Sequence, residues 1–208
     1  MDCTAESVAG AMRTVAAVVV EHREELNRLD REIGDGDHGE NLARGLRALE
    51  SKLDEVPSSP GGVLRLAATT LISTVGGAAG PLYGTAFLRA ATSVGDVASV
   101  DGTAVAAALR AALGGGGARG KAALGDKTMV DALTPAVAAA ESVAVTGGGV
   151  AEVLSAAADA AELGADSTVP MVARKGRASY LGERSAGHLD PGARSTALLL
   201  RTLAGRAR

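Results

Sequence analysis

The chain of 208 residues contains no tryptophan, one phenylalanine and two tyrosines. Phe87, Tyr83 and Tyr180 offer almost no surface on which bases could stack. The formal charge of −3 provides no basic stripe for counterion release, so nucleic acid is not an expected partner. Cys3 is the single cysteine, which rules out an internal disulfide and suits a reducing, cytoplasmic compartment. Long apolar runs are missing too. Residues 15–20 are far too few to span a bilayer and are flanked by Arg13, Glu21, His22 and Arg23, so no membrane association is expected. Hydrophobic residues still make up 47% of the chain, so a core must be built from Ala, Val and Leu, which favours closely packed helices. The length fits one domain, residues 1–208.

Apolar residues recur at three- and four-residue spacing over most of the chain. Val8, Met12, Val15, Val19, Leu26 and Leu29 predict one amphipathic helix over residues 5–29, with His22 as a half-buried packing residue on its stripe. Leu42, Leu46, Leu49 and Leu53 predict a second helix over 41–53. Ser59 before Pro60 is an N-cap followed by proline at the first helical position, and that helix should run to about Val75. Further helices are predicted over 82–93, over 101–113 (stopped by the four glycines at 114–117), over 128–143 around Pro135, from Gly149 to about Leu163, and after Pro191. Eight helices without strand alternation define an all-α fold. Glycine-rich polar loops fall at 34–39, 76–80, 114–125, 176–187 and 192. In an up-and-down arrangement alternate loops share one end, where their N–H groups and helix N-termini can face an anion.

The most informative segment is Asp30-Arg-Glu-Ile-Gly34-Asp35-Gly36-Asp37-His38-Gly39-Glu40-Asn41. Carboxylates brought to about 4 Å repel by ~4 kcal/mol per pair at an effective dielectric near 20. Such convergence calls for a cation. Hard oxygen donors without thiolates point to Mg²⁺, which keeps coordination positions open for phosphates. The alternative is an acidic surface loop whose aspartates face water separately. Two phosphate signatures are decoys. Gly34-x-Gly36-x-x-Gly39 follows a helix where a dinucleotide fingerprint needs a strand, and Gly115-x4-Gly120-Lys121 has Ala122 where a P-loop needs Ser or Thr.

Four blocks, residues 29–41, 73–85, 119–133 and 173–193, together resemble the ADP-binding L subunits of bacterial dihydroxyacetone kinases and the equivalent C-terminal domain of ATP-dependent dihydroxyacetone kinases. The resemblance implies a closed barrel of eight antiparallel helices with the nucleotide at one rim. It implies that Asp30, Asp35 and Asp37 hold two Mg²⁺ ions bridging the phosphates of ADP or ATP. His38, Gly39, Glu40, Asn41, Ala79, Gly80, Gly120, Met129, Arg177, Asp190, Pro191 and Gly192 would then contact the nucleotide, with Arg177 catalytic through neutralisation of phosphoryl charge. Lys121 and Lys127 are divided between phosphate steering and plain loop residues, Met129 should pack, and His188 should order its loop. Tyr83 and Tyr180 are expected to fill core, or else to form part of the loop wall. Members often carry Ser where this chain has Ala79, so one hydroxyl contact is lost.

The chain ends soon after the last block, which resembles the free-standing subunit. By resemblance, bound ADP is recharged by a phosphohistidine carrier M subunit of the phosphoenolpyruvate:sugar phosphotransferase system. The γ-phosphoryl then passes to dihydroxyacetone on a separate K subunit; a homodimer stays open. The alternatives are a subunit that exchanges ATP at each turnover, and a nucleotide-state signalling module that binds a transcription regulator.

Overall fold

A computed structural model describes residues 3–207. Nine α-helices dominate it: α1 (Ala5–Glu21), α2 (Arg23–Ile33), α3 (His38–Lys52), α4 (Pro60–Thr74), α5 (Ala79–Val94), α6 (Gly102–Gly120), α7 (Met129–Val145), α8 (Val150–Asp166) and α9 (Pro191–Arg206). A 3-10 stretch, Arg177–Ser185, lies before α9. The one sheet among the described residues is a two-residue antiparallel pair, β1 (Cys3–Thr4) with β2 (Ser99–Val100). The fold is all-α, as the periodicity predicts.

Capping fixes where several helices begin. Ser59 accepts the Gly62 N–H and Asp101 the Ala104 N–H. Thr128 and Asp131 form a reciprocal capping box at the start of α7. Asp190 accepts the Ala193 N–H at 2.7 Å, with Pro191 at the first position of α9.

The long helices close a ring. α1 packs on α3, then α3 on α4, α4 on α5, and so through α9, which returns to α1. Eight helices form the wall, and α2 covers one end against α3, α9 and the 3-10 stretch. Leu26, Leu42, Leu46, Leu49, Leu71 and Val19 anchor one side of the interior, while alanines of α7, α8 and α9 form the other. Small side chains let these helices approach closely but do not fill the axis. An apolar cavity of about 200 Å³ remains, bordered by residues such as Met12, Leu64, Phe87, Leu109 and Leu154.

Three expectations are corrected. The helix predicted over 5–29 is two helices, broken at His22, whose N–H bonds back to Val18 while its Nδ1 meets Glu25 at 2.6 Å. The second piece continues to Ile33, so Asp30 sits on a helix rather than in the loop. The reason is packing at the break: α3 begins so close to it that a Cβ on Gly39 would collide with the Arg23 carbonyl. The four glycines at 114–117 do not stop α6, which runs through them to Gly120. There α6 presses on α5, and a side chain at Gly115 would strike the Arg89 side chain and approach the Thr85 carbonyl. Finally, Tyr180 is 87% exposed and fills no core.

Candidate functional site

The antiparallel wall delivers four connections, residues 34–37, 75–78, 121–128 and 167–190, to one rim, and with them the N-termini of α3, α5, α7 and α9. Contacts between these segments are direct. His38 of α3 reaches Ser195 of α9 at 2.8 Å, and Tyr83 of α5 reaches Ser195 at 2.7 Å and Thr196 at 2.9 Å. Arg44 of α3 donates to the Thr74 carbonyl just before the second connection. The Arg174 N–H donates to the Asp126 carbonyl, joining the third connection to the fourth.

Asp30, Asp35 and Asp37 each present a carboxylate oxygen within 4.8 Å of the other two. Asp30 is the least exposed of the three, and its Oδ2 accepts the backbone N–H groups of Asp37 (2.9 Å) and His38 (3.1 Å). It thus caps α3 from the neighbouring helix, a task that Asp37, at the N-cap position, leaves undone. Gly36, at φ 80°, makes the turn between the outer aspartates. Arg177 lies 3.1 Å from Asp35, and both are largely solvated. A pair that open contributes at most ~1 kcal/mol. Three carboxylates against one guanidinium leave an all-oxygen, negatively charged corner whose chemistry fits a hard divalent cation.

The other sequence-predicted residues fall along the same rim. His38, Gly39, Glu40 and Asn41 form the first turn of α3; Ala79 and Gly80 begin α5; Gly120 ends α6; Met129 begins α7; Asp190, Pro191 and Gly192 begin α9. Not all of them face outward. The Met129 side chain packs in the core, and Glu40 pairs with Arg23 at 3.5 Å. The Asp190 carboxyl is buried, and burial pushes its pKa up to about 7 against the opposing pull of the Ala193 N–H and Lys127. Burial likewise moves the His38 imidazole below its ordinary value, opposed by Asp30 and Asp37. Tyr83 is pushed up to about 12 by burial and stays neutral.

Lys127 is neither a steering charge nor an exposed loop residue. It is 1% exposed, at φ 61°, and its ammonium donates to the carbonyls of Thr168 and His188, pinning both ends of the fourth connection. Burial lowers its pKa, with Asp190 and Asp131 opposing. The His188 side chain lies 3.7 Å from Glu32, beyond hydrogen-bond reach, and the residue is tied into its loop through its carbonyl, which accepts from Lys127. Sequence reasoning missed Asn27, whose buried Oδ1 takes the Glu40 N–H, and the Tyr83–Ser195–Thr196 cluster. No local pattern marks a contact between residues more than a hundred positions apart.

The site is thus an acidic corner among helix N-termini at one rim of an all-α ring. The family model for the DAK2 domain matches residues 32–205, and the chain belongs to that family. It is 44% identical over 186 residues to the "PEP-dependent dihydroxyacetone kinase 1, ADP-binding subunit DhaL" of Listeria innocua, covering 89% of this chain and 88% of that one. It is 45% identical over 182 residues to the corresponding subunit of Escherichia coli K12, covering 87% of each. The C. freundii dihydroxyacetone kinase solved with AMP-PNP and Mg²⁺ superposes with a TM-score of 0.74 at 28% identity, covering 99% of this chain and 34% of that longer one. No helix among the described residues is long and apolar enough to cross a membrane.

Proposed function

We propose that this chain is the ADP-binding subunit of a phosphoenolpyruvate-dependent dihydroxyacetone kinase and works as one domain. Near-full-length identity of 40% or more to three subunits bearing that description, and to a fourth described as PTS-dependent, supports the reading. The single observation that carries it is the convergence of Asp30, Asp35 and Asp37 within 4.8 Å at a rim lined by helix N-termini.

In this reading the three aspartates hold two Mg²⁺ ions, and residues 38–41, 79–80, 120, 129 and 190–192 form the nucleotide cradle. Bound divalent ions would supply charge neutralisation, since two dications over three carboxylates leave roughly +1 for the phosphates. The chain's own contribution is positioning. Most N–H groups at the starts of α3 and α9 are taken by Asp30, Asn27 and Asp190, so the charge on the transferring phosphoryl group falls to Arg177, which leaves Asp35 to offset it. The ketose binds elsewhere, on a K subunit. A phosphohistidine M subunit recharges ADP in place, in the cytoplasm.

Native mass spectrometry of the purified chain tests this reading. A retained ADP with two Mg²⁺ is the expected species. Nucleotide-free protein that is fully active with added ATP and a K subunit alone would favour ATP exchange at each turnover instead. Asp35→Ala and Asp37→Ala should each release nucleotide and stop transfer, and tight ADP binding by either variant would refute the metal assignment.

A further inference from the structure

Four polar contacts run in series from the rim into the core. His38 Nε2 lies 2.8 Å from Ser195 Oγ, which lies 2.7 Å from Tyr83 Oη. Tyr83 Oη lies 2.9 Å from Thr196 Oγ1, which lies 2.8 Å from the Gly192 carbonyl oxygen. Ser195 and Tyr83 also approach that carbonyl, each at 3.1 Å. The hydroxyls of Ser195, Tyr83 and Thr196 are buried while His38 and Gly192 are partly exposed, and each contact is too short to admit a water between its two atoms.

Counting protons fixes the direction of the series. Each hydroxyl brings one proton and a carbonyl brings none. Gly192 lies in the first turn of α9, so one lone pair of its oxygen takes the helical N–H of residue 196 and the other is left for a hydroxyl. Four contacts need four protons, whereas Ser195, Tyr83 and Thr196 have three. The fourth can come only from His38 Nε2. If Ser195 donated to Nε2 instead, Tyr83 would donate to Ser195 and Thr196 to Tyr83. The Gly192 oxygen would then face three hydroxyl oxygens with no proton between them.

We infer that Ser195, Tyr83 and Thr196 are positioning residues that hold His38 with its proton on Nε2, so that the neutral ring presents the Nδ1 lone pair at the rim. The remaining bonds agree. His38 makes no other side-chain hydrogen bond among the described residues, and none of their buried side-chain nitrogens or oxygens lacks a partner, so Nδ1 is open to solvent. A lone pair there takes a hydrogen-bond donor rather than a bare phosphate oxygen. Such a donor is water on a divalent cation or a nucleotide hydroxyl. The adjacency to nucleotide rests on the function proposed above, whereas the tautomer does not.

Histidine-selective ¹⁵N spectra at mildly alkaline pH test the inference. The chain has only three histidines, and His38→Gln identifies the resonance to follow. A pyrrole-type Nε2 with a pyridine-type Nδ1 is expected, and a pyridine-type Nε2 would overturn the assignment. Tyr83→Phe and Ser195→Ala should admit a measurable Nδ1–H population and weaken ADP binding about fivefold, the scale of one lost hydrogen bond, with the helical spectrum intact. Weakened binding with an unchanged tautomer would make the hydroxyls merely structural and overturn the positioning role. Mg²⁺ alone should shift Nδ1 if the donor is metal-bound water, and Mg²⁺ with ADP, but not Mg²⁺ alone, should shift it if the donor is a nucleotide hydroxyl. No shift in either arm overturns the role given to Nδ1.

Discussion

Lys127 shows how far the meaning of one side chain depends on what folds over it. A lysine between Asp126 and Thr128 in a glycine-bearing loop reads as solvated, and nothing in its neighbourhood along the chain says that Thr168 and His188 will close above it. Replacing Lys127 with methionine should leave those two carbonyls without a donor and cost about 2–4 kcal/mol. The effect should appear in urea denaturation, and as faster amide exchange across residues 168–190 while α3 and α4 stay protected. Asp190 allows a prediction in pH. Its folded pKa, raised to about 7, exceeds the ordinary carboxyl value of 3.8, so between these limits the folded state holds a proton that the unfolded chain has lost. Stability from this group is complete below pH 3.8 and declines as pH rises through about 7. Asp190→Asn, which still caps α9, should flatten that part of the stability profile in thermal melts across this range.

Among the helices, Ser59 with Pro60 announces an N-terminus by local chemistry alone, and the helices over 128–143 and after Pro191 could be placed from their apolar spacing. The two misread boundaries come from tertiary contact. Glycine is a poor helix former, and the close approach of α5 explains Gly115, one of the four glycines that α6 carries in its interior. Adjacent glycines should therefore respond with opposite signs. A Cβ at Gly114 meets nothing within 4 Å, and the residue is exposed, so Gly114→Ala should stabilise by about 0.5–1 kcal/mol. Gly115→Ala drives a methyl into Arg89 and toward the Thr85 carbonyl and should destabilise by about 1–3 kcal/mol. Chemical denaturation of the two variants side by side checks the pair, and equal signs would contradict close α5–α6 packing.

Across the whole molecule, the ring separates two requirements. Its wall is made cohesive by Ala, Val and Leu, and its ends are free to carry polar loops, one of which gathers the charge. The aspartates could be picked out in the sequence because three of them share one short segment. Their convergence is implied by the family resemblance alone and not by local pattern, because it depends on Asp30 lying on α2 and bonding forward to the N–H groups that start α3. This arrangement predicts how stability responds to ligand. In the absence of a cation the carboxylates repel one another within 4.8 Å, and the four connections are joined only by their own contacts. Mg²⁺ with ADP should bind the folded rim and not the unfolded chain, adding about 2.7 kcal/mol when the ligand is at a hundred times its dissociation constant. The gain should read out as a rise in melting temperature that a chelator abolishes. In Asp37→Ala, which removes one carboxylate without touching the bonds made by Asp30, the melting temperature without ligand should hold or rise because a repulsion is lost. Its response to Mg²⁺ and ADP should vanish, and a variant that melts early yet still gains from the ligand would show the cluster to be structural rather than a seat for cations.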